Sequence, residues 1–112
     1  MTERTNEQWL ADLRAEGERR SSALEALRAR LERGMFYFLR NDRSDLLDRS
    51  SDDLQHMAQD FVQDALLKVL ENLDTFRGES QFTTWAAKIT TRLAISELRR
   101  IRYRDYSLEG IT

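Results

Sequence analysis

The sequence predicts an all-α fold, a compact bundle of about four helices. Three observations carry this. The 112 residues include no proline and only four glycines, so few positions break a helix. Leu, Ala, Glu and Arg, all good helix formers, are abundant. Apolar residues recur at steps of three and four along most of the chain, the period of a helix with one buried face.

The elements follow in order. Trp9, Leu10 and Leu13 form a short apolar stripe that predicts a first helix from about Asn6 to Glu16, ended or bent by Gly17. A second helix is expected to start at Ser22, with Glu25 completing a capping box. Leu24, Leu27, Leu31, Met35 and Phe38 give its stripe, widened by Phe36, Tyr37 and Leu39. Asn41 to Ser51 is polar and aperiodic and reads as a loop, with Leu46 and Leu47 as anchors. The third helix is placed from about Asp52, with Gln55 as its capping-box partner. Its apolar residues, from Leu54 through Leu73, are the strongest periodic signal in the chain. Asp74 to Gln81 reads as a loop around Gly78, and a fourth helix runs from about Phe82 to Arg102, with Ser80 as its N-cap. Tyr103 to Thr112 loses the period.

Composition bounds the function. A chain of this length buries roughly 65% of its unfolded surface, enough for one core. There is no cysteine and a single histidine, His56, so disulfides and Cys- or His-based metal sites are not expected, and no cofactor is implied. Neither a signal peptide nor a membrane span is legible, which makes a cytoplasmic location the expectation.

The net charge of −2 conceals a strong division. Between Arg77 and Arg104 seven basic residues face two acidic ones, a local +5 that leaves −7 on the remainder. A basic segment on an acidic body can still attract polyanions, because the local field steers the ligand.

Three groups of residues stand out. On the third helix, Asp60, Gln63, Asp64, Leu67 and Glu71 share one stripe, a docking strip for a basic partner helix. No histidine accompanies these carboxylates, and the sequence predicts no enzyme. An ordinary solvated face is the bland alternative. In the loop and early fourth helix, Phe76, Arg77, Ser80, Phe82, Thr83 and Trp85 mix rings, hydroxyls and a cation, as single-stranded nucleic-acid sites do. Phe76 and Phe82 are as well suited to closing the core, and Trp85 to doing both. Along the fourth helix, Lys88, Arg92 and Arg99 lie on one side with Thr91, Ile95 and Ser96 beside them, an arrangement suited to phosphate contacts and close approach to base edges.

In this order the features resemble region 2 of the bacterial RNA polymerase sigma factors, most closely the extracytoplasmic function (ECF) group of the sigma-70 family. The residues that carry the resemblance are Asp60-Phe61-Val62-Gln63-Asp64, Leu73 through Ser80, Phe82-Thr83-Thr84-Trp85, and Leu93-Ala94-Ile95 through Leu98-Arg99-Arg100. The resemblance implies that the third helix docks on the clamp coiled coil of the polymerase's largest subunit, through Asp60, Gln63 and Asp64. It implies that the Arg77 to Thr84 loop receives a base flipped from the non-template strand of the minus-ten promoter element. The fourth helix would contact that element through Lys88, Arg92, Ser96 and Arg99. An anti-sigma factor is a further implied partner, and a solitary interaction module without promoter recognition is the alternative reading. Family members usually carry Asn where Arg92 stands and often Asp where Ser96 stands, so the promoter preferred is not carried over. Residues 1–20 then read as an N-terminal helical extension, 21–102 as the region 2 domain and 103–112 as the start of an interdomain linker; the family's helix-turn-helix domain is not among these residues.

Overall fold

The computed structural model describes the backbone of residues 3–111 and the side chains of residues 3–102. Thr5 opens α1 (Asn6–Arg14): its hydroxyl accepts from the Gln8 amide, while Gln8 returns a side-chain oxygen to the Thr5 N–H. This reciprocal box satisfies two of the donors that every helix start leaves free. α1 ends two residues before the expected Glu16, and Gly17 follows at φ 70°, ψ −140°.

That glycine sets the first correction. α2 (Glu18–Asn41) starts four residues before Ser22, because a chain reversed at a left-handed glycine enters the helix directly. Ser22 is no cap; it lies inside the helix and its hydroxyl accepts from Arg4. The following polar segment holds one 3-10 turn (Ser44–Leu46). There Leu46 is buried as an anchor, whereas Leu47, expected to serve likewise, stands 76% exposed.

α3 (Ser51–Glu71) is capped by Ser50, whose hydroxyl accepts from the Asp53 amide. The Asp52–Gln55 box is therefore not formed: the helix has already begun when Asp52 is reached. Leu54, Ala58, Phe61, Val62, Ala65, Leu66 and Val69 are buried along it. A second 3-10 turn (Leu73–Thr75) leads to α4 (Phe82–Ile111). The aperiodic residues after Arg102 continue this helix through Ile111. Without a proline, a helix already under way extends at little cost. Side chains from Tyr103 onward, Arg104 among them, lie outside the described residues.

The helices make one bundle, all-α as the periodicity predicts, with no strand among the described residues. α2 packs against α1, α3 and α4, and α3 also packs on α4. Leu13, Leu27, Leu39, Val62, Val69 and Phe82 are sealed at its centre. Burying each such side chain stabilises the fold by about 1.5–3 kcal/mol before chain entropy is counted. No described helix is long and apolar enough to cross a membrane.

Candidate nucleic-acid interface

Burial of one face of α3 decides what its other face presents. With Phe61, Val62, Ala65, Leu66 and Val69 turned inward, Asp60, Gln63, Asp64, Leu67 and Glu71 all emerge into solvent. Leu67 remains 59% exposed, so it has no part in the core. Among the described residues, none of the three carboxylates enters an ion pair.

The loop between α3 and α4 is shaped by three local devices. The Thr75 hydroxyl donates to the Asn72 carbonyl and tightens the 3-10 turn. Gly78 adopts φ 74°, a conformation other residues reach only with strain. Beyond it, α4 starts at Phe82 with its first amide bonded to the Asn6 side chain of α1. Ser80, expected as the cap, instead points its hydroxyl at the Gln81 carbonyl. The cap is replaced because Asn6 already occupies the position in front of the helix start.

Phe82 is the hub of four rings. It stacks on Trp9 at 5.6 Å and 19°, meets Phe76 edge-on at 5.4 Å, and tilts against Trp85 at 5.5 Å. Its side chain is wholly buried and Thr83 nearly so. Neither lines the cleft between the loop and α4; both instead border the larger cleft beside α1 and α2, with Phe82 packed as a floor beneath the Phe76 and Trp85 rings. Trp85 is half-buried, 5.2 Å from the half-buried Phe76.

Above this floor opens a cleft of about 390 Å³, within the range of roughly 300–1,000 Å³ common for small-ligand sites. Arg77, Ser80, Trp85, Lys88 and Arg92 line it, so five of the nine residues singled out for nucleic acid meet in one place. Thr75, Phe76, Glu79 and Ile89 complete the walls. Of these, sequence reasoning passed over Thr75, Glu79 and Ile89 as ligand contacts. Ile89, half-buried on α4, supplies the wall's apolar edge. Ser96 and Arg99 are exposed at four and seven residues beyond Arg92, which extends the face past the cleft. Three cations against one carboxylate give the cleft a positive field, and the Trp85 and Phe76 rings offer stacking surface.

A larger cleft of about 1220 Å³ lies between α1 and α2. Its arginines are mostly engaged. Arg4 and Arg19 donate to Asp12, Arg4 also lies over the Trp9 ring, and Arg30 pairs with Glu3 at 2.6 Å. These bonds hold the Asp12 carboxyl below the usual carboxylate range, first through Arg4 and then Arg19. Arg43 does the same for Asp45 in the α2–α3 connection. The Asp12 network joins α1 to α2, the Arg43–Asp45 pair is local to its connection, and both leave little charge for a ligand.

The model of the family described as sigma-70 region 2 matches residues 49–104, which hold the whole acidic stripe, the loop and the basic helix. The chain belongs to the sigma-70 region 2 family. A relative of this region 2 domain is the ECF RNA polymerase sigma factor SigW of Bacillus subtilis (strain 168), 35% identical over 55 residues. That match covers 49% of this chain and 29% of the relative, so the region 2 domain spans well under half of that protein. No solved structure matches. The ECF resemblance drawn from the residue blocks agrees with both findings.

Proposed function

We propose that this domain serves transcription initiation as the region 2 part of an ECF-type sigma factor. α3 docks on the clamp coiled coil of the largest subunit of core RNA polymerase through Asp60, Gln63, Asp64, Leu67 and Glu71. The cleft of Arg77, Ser80, Trp85, Lys88 and Arg92 receives a base flipped from the minus-ten non-template strand. Lys88, Arg92, Ser96 and Arg99 carry the flanking phosphates and the adjacent duplex. Extruding a base costs a few kcal/mol, which stacking and phosphate contacts must offset. No bond is made or broken by this chain; the polymerase performs the chemistry.

One observation carries the reading: the loop and α4 bring rings, hydroxyls and three cations around a single cleft of about 390 Å³. The rings supply stacking for any base, and the cations supply the phosphate term. The test has two arms. The chain should bind the isolated clamp coiled coil of a bacterial polymerase, and an Asp60, Gln63, Asp64 triple alanine variant should not. Bound to core polymerase, it should also raise the fluorescence of 2-aminopurine placed in a minus-ten non-template oligonucleotide. Clamp binding with no DNA signal would reject promoter recognition.

The α3 stripe shares no residue with the cleft lining, which supports a second reading. In it, protein docking is the whole function, with the clamp or an anti-sigma factor as partner. Reversing Lys88, Arg92 and Arg99 together separates the two: a docking module keeps its cellular effect, and a promoter-melting one loses it.

A further inference from the structure

α1 touches both ends of the loop that builds the cleft. At the near end, the Arg14 guanidinium donates to Asp74 at 2.6 Å. This pair is largely solvated and contributes little. At the far end stands Asn6, half-buried, with a bidentate hold on the backbone. Its Nδ2 donates to the Ser80 carbonyl at 3.0 Å, and its Oδ1 accepts from the Phe82 amide at 2.8 Å. Only the oxygen can accept and only the NH2 can donate, so the two bonds fix the amide's orientation. Trp9, three residues on, stacks against Phe82 and seals the contact.

The Phe82 bond is an N-cap supplied from 76 residues away in the chain. The Ser80 bond is different in kind. It ties down a loop residue whose own side chain lines the cleft, and no capping requirement demands it.

We propose that Asn6 is a positioning residue of the cleft: its carboxamide tethers the Ser80 backbone and the first turn of α4 to α1. The tether holds Ser80 and Trp85 at the spacing a base needs. Its functional half rests on the reading of the cleft as the nucleotide site.

Two substitutions separate tether from cap. Asn6→Asp keeps an oxygen for the Phe82 amide, and a carboxylate suits a helix N-terminus, but it cannot donate to the Ser80 carbonyl. Asn6→Ala loses both bonds. In the intact chain, Asn6→Asp should unfold near the wild-type midpoint, with Asn6→Ala below both. Despite that stability, amide hydrogen exchange over residues 77–81 should be roughly tenfold faster in Asn6→Asp, while α3 exchanges as in the wild type. On core polymerase, Asn6→Asp should bind a minus-ten non-template oligonucleotide about tenfold more weakly, the scale of one lost hydrogen bond, with clamp binding unchanged. Wild-type exchange in the Asn6→Asp loop would overturn the tether. Faster exchange with undiminished oligonucleotide affinity would overturn its positioning role. A wild-type chain that binds no oligonucleotide would reject the cleft reading itself, and exchange, which needs no DNA, would still decide the tether.

Discussion

Phe82 and Trp85 are three residues apart in sequence, yet they answer to different demands. Phe82 is wholly buried among three other rings, so Phe82→Ala should lower unfolding stability by about 3–5 kcal/mol in chemical denaturation. Trp85 keeps one edge in the cleft. Trp85→Ala should weaken single-strand binding by about 1–3 kcal/mol, the worth of a stacked base. If Phe82→Ala left stability intact and abolished binding alone, its placement in the floor would be wrong. Asp12 brings pH dependence. Arg4 and Arg19 hold its folded pKa below the unfolded value, so its contribution is present above about pH 3.9. It is lost as the pH falls through the lowered folded value. Melting curves should show Asp12→Asn less stable than wild type at neutral pH, with the gap closing on acidification below the carboxylate range.

At the scale of elements, α3 and the loop make opposite predictions about tolerance. The stripe residues of α3 stand free in solvent, so the Asp60, Gln63, Asp64 triple alanine variant should change folding stability by no more than about 0.5 kcal/mol per site. Its loss of clamp binding would then be a surface effect. Gly78 has the reverse profile. A Cβ there meets nothing within 4 Å, yet φ is 74°, so the cost of Gly78→Ala is conformational rather than steric. About 1–2 kcal/mol is expected, measured by denaturation, together with weaker oligonucleotide binding as the turn relaxes. Gly78→Asn, which tolerates this backbone better, should recover part of both.

For the whole molecule, the division of charge matters more than its sum. α4, at about 1.5 Å per residue, runs for some 45 Å of a molecule 53 Å long, and its cations from Lys88 to Arg102 occupy about 21 Å of that helix. Nucleic-acid affinity should therefore fall steeply with salt. Each phosphate contact removed by neutralising Lys88, Arg92 or Arg99 should flatten the log–log slope by about 0.7 on a single strand. A slope unchanged by all three would place the phosphate path elsewhere. The clamp contact, led by an acidic stripe, is expected to weaken with salt as well, through screening of exposed charge.

The sequence by itself determined the helical class, the four helices, the acidic and basic stripes and most of the buried faces, although Tyr37, expected to widen the α2 stripe, stands 67% exposed because Met35 and Leu39 take the buried positions of that turn. Those properties depend on local period and composition, and period survives whatever the tertiary arrangement does. It also carried the cleft's principal side chains, because Arg77 to Arg92 are neighbours along one turn and one helix. Cap positions are less legible: Thr5 and Gln8 do form a box, while Ser22, Asp52 and Ser80 fit capping patterns that the folded chain does not use. Tertiary structure alone decided that Phe82 is floor and Trp85 is wall, since Trp9 must arrive from α1 to cover one of them. It alone joined Asn6 to Ser80 and Phe82, because a hydrogen bond across more than seventy residues leaves no periodic trace in either segment.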